Sequence, residues 1–202
     1  MSDSKRFDGV YSFTPPSLRG MLGWGERTER PFPSAGTART VWAQRVTISE
    51  NILWQGTRVT LTWEADAAPP GLPVRQVSGV CFTEAGKIVL VSEDGRGWTL
   101  PGGHPEADET PHETLAREVL EEACAEVLAC TYLGWQRVDD PREPPYLQFR
   151  YVARVRPLDF QPEYEMRRRT TVSSQDFLST LSWGESRIAA ALLQAALKTP
   201  SS

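Results

Sequence analysis

The chain has 202 residues, enough to bury a sizeable core, and its 40% hydrophobic and 24% charged content is ordinary for a soluble globular protein. A net charge of −4 and a pI near 5.3 exclude a generalist binder of nucleic acid polymers or membranes, because either needs a basic patch. No apolar run approaches the roughly 20 residues that cross a bilayer.

Residues 1–39 are rich in Gly, Pro, Ser and Arg, with Phe7, Tyr11, Phe13, Trp24 and Phe32 scattered among them, and read as an irregular N-terminal arm. The opening MSDSKRFDGVYSF has neither the apolar stretch nor the small-residue cleavage site of a signal peptide, so a cytoplasmic location is expected. From residue 40 to 66 the pattern turns β-branched and aromatic, as in TVWAQRVTI and TRVTLTW, and predicts a small antiparallel β extension. AAPPGLP at 67–73 reads as a linker, since paired prolines continue neither a helix nor a central strand.

A main domain is expected over 74–198, with 199–202 as a tail. VRQVSGVCF and KIVLVSE are strand-like runs joined by Glu84, Ala85 and Gly86, which predicts a hairpin. GWTLPGG is short and ends in a turn. EVLACTYLGWQRV and YLQFRYVARV are further strands, separated by the proline-rich DDPREPP. Residues 185–198 carry Ile188, Ala191, Leu192 and Ala195 at helical spacing, with Lys198 suited to the C-terminal end of the dipole. Cys81, Cys124 and Cys130 lack metal-ligand spacing and read as reduced thiols, while His104 and His112 are too few for a zinc site. Trp98 suits a core position better than a stacking surface for a base.

The informative stretch is LPGGHPEADETPHETLAREVLEEACA, residues 100–125. Thr110, Pro111 and Glu113 form a helix start: a hydroxyl at the N-cap, a proline whose missing N–H is harmless, and a carboxylate to close a capping box. At about 100° per residue, Leu115, Ala116, Val119, Leu120 and Ala123 gather into one apolar stripe for the core. Glu118, Glu121 and Glu122 then project together on the opposite side, where they repel one another and oppose the dipole. A solvated acidic face has the same pattern. The preceding glycines add a second feature, because Gly102 and Gly103 let a main-chain carbonyl face the carboxylates, and hard divalent cations want such all-oxygen shells. Arg117 can pair with Glu118 or reach back to Glu109, leaving the other acids free.

Gly103, Glu109 and Arg117-Glu118-Val119-Leu120-Glu121-Glu122 resemble the Nudix box, G-x5-E-x7-R-E-U-x-E-E-x-G-U, in which U is a bulky aliphatic residue. Cys124 and Ala125 depart from its last two fixed positions; without glycine the helix should run on toward Leu128 or end with strain. The resemblance implies an α/β fold, the Nudix α/β/α sandwich with a mixed sheet. It implies Mg²⁺ or Mn²⁺ held by Glu118, Glu122, Glu121 and the Gly102 carbonyl, with Glu109 in support and Arg117 holding the loop. It also implies hydrolysis of the diphosphate linkage of a nucleoside diphosphate derivative, with the general base among Glu121, Glu118, Glu163 and Glu165; the last two also read as ordinary loop charges.

Pro141, sixteen residues beyond Ala125, is a feature of the ADP-ribose pyrophosphatase group, which makes ADP-ribose or another nucleotide sugar the leading substrate class. A nucleoside triphosphate or dinucleotide polyphosphate is the alternative, and an inactive Nudix-fold nucleotide-binding module is the alternative to an enzyme. The expected partner is a nucleoside diphosphate-linked small molecule, and the reading leaves room for a homodimer.

Overall fold

The computed structural model describes residues 47–199. The arm expected over 1–39, the first residues of the β extension and the last three residues of the chain lie outside the described part.

Two strands, β1 (Thr47–Trp54) and β2 (Thr57–Glu64), form an antiparallel hairpin in register from Thr47 opposite Glu64 to Trp54 opposite Thr57. This is the small antiparallel β extension that the sequence predicts, and β2 also pairs antiparallel with β6 (Ala125–Asp139), so the hairpin extends the main sheet. Trp63 is 2% exposed, and burying its large ring supplies the apolar gain that holds the hairpin in place. Glu50 of β1 also accepts from Arg187 N–H at 3.0 Å and from the Ser186 hydroxyl, placing a carboxylate on the positive end of a helix.

The remaining strands are β3 (Val74–Thr83), β4 (Ile88–Ser92), the two-residue β5 (Gly102–Gly103), β7 (Tyr146–Pro157) and β8 (Arg168–Val172). They complete a mixed sheet in the order β1-β2-β6-β7-β3-β4-β8, with β5 beside β3. The central β3 and β7 run parallel and the other pairs antiparallel. The expected β3–β4 hairpin is present, its turn closed by Gly86 N–H donating to Thr83 O at 2.9 Å. Sequence reading passed over β8, whose Arg168-Arg169-Thr170-Thr171-Val172 lacks an apolar alternation and takes its register from β4.

Strand alternation divides the core in two. Val77 and Cys81 of β3, Val89 and Val91 of β4, and Ala153 and Val155 of β7 face helix α1 (Pro111–Ala123). Val80, Ile88, Leu90 and Val152 face the other way, onto helix α3 (Arg187–Lys198) and the single turn α2 (Phe177–Thr180). This is a three-layer α/β/α sandwich. All five residues of β4 are buried because both its faces are covered. Trp98 packs against the second cluster, in agreement with the core reading. The three cysteines are free thiols. Among the described residues no helix is long and apolar enough to cross a membrane.

Candidate active site

Helix α1 begins at Pro111 for the reason its sequence states: Thr110 is the N-cap, its hydroxyl accepts from Glu113 N–H at 3.3 Å, and the Glu113 carboxylate accepts from Thr110 N–H at 2.8 Å. The apolar stripe is narrower than the winding predicts. Leu115, Val119 and Ala123 are buried, whereas Leu120 is 50% exposed and lines a surface groove. The core takes three of the five side chains of that stripe, Ala116 is half-buried, and Leu120 is left to the open side. At the other end the helix stops at Ala123 and does not run on toward Leu128. Cys124 takes the left-handed conformation at φ 43°, ψ 55°, the strained alternative, and Ala125 enters β6 at once. Arg169 satisfies the loose end, donating to Ala123 O at 2.7 Å and Cys124 O at 2.9 Å.

Strand β5 sets the Gly-Gly bend against this helix. Gly102 has φ +148°, and a Cβ there would lie 2.3 Å from Val77 O, so the close β3–β5 approach admits only glycine. A Cβ on Gly103 would lie 2.4 Å from Glu118 Oε1, so the space beside Gly103 belongs to the Glu118 carboxylate. Glu122 accepts from Gly102 N–H at 2.8 Å and is only 8% exposed. Bend and helix therefore meet at Glu118 and Glu122.

Arg117 ties the surrounding loop to the helix. Its Nε and Nη2 donate to the two Glu109 oxygens at 2.7 and 3.0 Å, and Nη2 also to His104 O at 2.8 Å. Nη1 donates to Glu118 at 2.9 Å and Glu121 at 3.2 Å. The expectation that Arg117 leaves the other acids free is thus corrected: the fork is long enough to engage three carboxylates. Among the described residues, no three Asp, Glu, His or Cys side chains converge as a ready-made metal cage, because Arg117 and Gly102 N–H share the acids between them.

The electrostatics are those of crowded, partly dehydrated carboxylates. Burial pushes Glu122 up to about 8, countered by the Gly102 N–H and reinforced by Glu118, Glu165 and Glu121. Burial also raises Glu118, against the pull of Arg117. Glu109 is held down at about 2, first by Arg117 and then by the Glu106 N–H. The downstream segment closes the groove: Glu163 and Tyr164 line a space of about 340 Å³ with Arg117, Leu120, Glu121 and Cys124, and Glu165 is near enough to act on Glu122.

This geometry agrees with the comparison to known proteins, in which a family model for the NUDIX domain matches residues 72–186, more than half of the chain. The chain belongs to the Nudix family. Among its Nudix relatives, the 8-oxo-dGDP phosphatase NUDT18 of Homo sapiens is 33% identical over 111 residues, covering 50% of this chain and 33% of that protein. A MutT-like protein of Streptomyces ambofaciens is 43% identical over 58 residues, covering 28% and 38% respectively. The chain thus spans about a third of the length of these curated relatives. Among solved structures, the Bacillus subtilis pyrophosphohydrolase BsRppH superposes with a TM-score of 0.60 at 23% identity, over 70% of this chain and 92% of that one, which shows the shared Nudix fold.

Sequence reading missed two groups. Arg169 reaches the helix end from 46 residues away and sits in a basic run that gives no local sign of it. Gln76, Gln136, Gln148 and Arg150 are polar residues on the α3 side of otherwise apolar strands, a pattern that a count of inward-facing positions would have exposed.

Proposed function

We propose that the protein hydrolyses the diphosphate linkage of a nucleoside diphosphate derivative with the help of Mg²⁺ or Mn²⁺, and that Glu118, Glu122, Glu121 and the Gly102 main chain hold the metal. The observation that carries this reading is the pair of dehydrated carboxylates, Glu118 and Glu122, set against a bend that only glycine can form. The donor set is all oxygen and its charge is only partly compensated by Arg117, which suits a hard divalent cation. A bound divalent cation supplies charge neutralisation for the diphosphate and acidifies a water.

The chain's own residues do the positioning. Arg117 fixes the Glu109 loop and orients Glu118 and Glu121 through one guanidinium. Glu122 is set by Gly102 N–H, so its rotamer is prescribed before substrate arrives. The base that takes the proton from water is drawn from Glu121, Glu163 and Glu165, which border the groove or act on Glu122, with Glu118 the further candidate. The relative named for 8-oxo-dGDP supports a nucleoside diphosphate as substrate and stands beside ADP-ribose as the class to test first.

The test is a panel of nucleoside diphosphates, triphosphates, dinucleotide polyphosphates and nucleotide sugars with Mg²⁺ or Mn²⁺, with products separated by chromatography. At least one diphosphate-linked nucleotide is expected to be cleaved, and Glu122→Gln to lower turnover at least 100-fold with the circular dichroism spectrum unchanged. A Glu122→Gln protein as active as its parent would remove this carboxylate from the reaction. Glu121→Gln, Glu163→Gln and Glu165→Gln then identify the base as the variant whose rate loses its acidic limb against pH.

A further inference from the structure

Gln76, Gln148 and Gln136 stand in one row across three adjacent strands, Gln76 opposite Gln148 in β3–β7 and Gln148 opposite Gln136 in β7–β6. In the next row Arg150 lies opposite Ser78, and its guanidinium reaches back over the glutamines. Nη1 donates to Gln76 Oε1 at 3.1 Å and to the Ser78 hydroxyl; Nη2 donates to Gln136 Oε1 at 3.3 Å and to Gln148 Oε1. Gln136 Nε2 donates to Gln148 Oε1 at 3.1 Å. Arg150 is 6% exposed, its Nε–H is buried without a partner, and no carboxylate among the described residues pairs with it. The ring of Trp183, 6.0 Å away, faces its charge, and the Tyr146 phenol lies near enough to act on it.

A buried cation without a counter-ion is an expensive arrangement that hydrogen bonds to neutral groups only partly offset. It has one local consequence. Because a guanidinium has donors and no acceptor, every glutamine oxygen must turn toward it, which leaves the amide nitrogens of the half-buried Gln76 and Gln148 turned away and available to donate. The row turns amide N–H donors outward, on a positive background, beside an indole face. The row lies on the α3 face of the sheet and the acids on the α1 face, and the two meet at the Gly-Gly bend, where Ser78 pairs with Gly102, whose N–H is bound by Glu122.

We infer that this glutamine row is the specificity site for the base of the nucleotide, with Gln76 and Gln148 reading it, Arg150 positioning their amides, and a ring bearing carbonyl acceptors preferred to one bearing an exocyclic amine. The inference rests on the nucleotide reading above and, within it, disfavours the adenine-bearing ADP-ribose. An outward amide donor rejects an amine because the amine brings a second donor to the contact and leaves both unpaired.

The test compares inosine 5′-monophosphate with adenosine 5′-monophosphate, which differ in a carbonyl against an amine at one ring carbon and in an N–H against a bare nitrogen at the next ring position, binding to the full chain in EDTA by titration calorimetry. Inosine monophosphate is expected to bind at least tenfold more tightly. Gln148→Glu replaces the outward amide with a carboxylate acceptor that also pairs with Arg150, so the preference should collapse or invert while the melting temperature rises; Gln76→Glu is the second variant should the first not fold. A merely structural cluster would show the rise in melting temperature with the binding ratio unmoved. Equal binding of the two nucleotides by the parent, no binding of either, or an unmoved ratio in a folded variant overturns the inference. Because the measurement needs no turnover, base preference without diphosphate hydrolysis would instead remove the hydrolase reading, and hydrolysis without preference would remove this one.

Discussion

Replacing Glu122 by Gln should make the metal-free protein more stable at neutral and alkaline pH while it destroys the activity. Glu122 is 8% exposed and its carboxyl is pushed up to about 8 from an ordinary 4.5. The folded state therefore binds a proton more tightly than the unfolded chain, so stability is fully present below about pH 4.5 and is lost as the pH rises toward 8. Each pKa unit is worth about 1.4 kcal/mol, which gives a loss of about 3 kcal/mol by pH 7. Glutamine has nearly the same shape, keeps an oxygen for Gly102 N–H and does not ionise, so it escapes that loss. Urea denaturation in EDTA should give parent and variant similar midpoints at pH 4.5 and a variant more stable by about 3 kcal/mol at pH 7, roughly 6–12 °C in melting temperature. Millimolar Mg²⁺ should restore the parent and leave the variant where it was. A parent equally stable at both pH values, with Glu122→Gln offering no gain, would refute the argument that this carboxylate is held in an unfavourable, dehydrated place.

Cys124→Gly should stabilise by about 1 kcal/mol, read as a higher urea midpoint, because glycine adopts φ 43° without the strain a side chain brings and Arg169 still caps the helix end. Gly103→Ala should lower kcat by roughly 100-fold, since its methyl would displace the Glu118 carboxylate from 2.4 Å; the displaced atoms are the end of a flexible side chain, so stability should change by no more than about 1 kcal/mol. Arg117→Lys keeps the charge and loses the fork, so turnover should fall about tenfold and Glu109, now held at about 2, should titrate nearer the ordinary carboxylate range when followed by NMR. In the parent the stability that Glu109 lends is present above about pH 4.5 and is lost as the pH falls toward 2.

What could be read from the chain by itself is what depends on near neighbours. Thr110, Pro111 and Glu113 are three consecutive instructions to start a helix, and the alternation of VRQVSGVCF and the continuous run of IVLVS announce strands before any partner is known. The spacing from Gly103 through Glu109 to Glu122 likewise carries the family, since a bend and one helix contain it. Packing decided the rest. Helical winding gave Leu120 and Glu122 opposite places, yet the sheet left Leu120 exposed and buried Glu122, because burial is set by what lies across the interface. Arg169 capping α1, β2 joining β6 and three glutamines aligning under Arg150 all join residues far apart in sequence. Local rules extend over a turn or a strand, whereas the pairing of distant strands and the dehydration of a side chain exist only once the chain has folded.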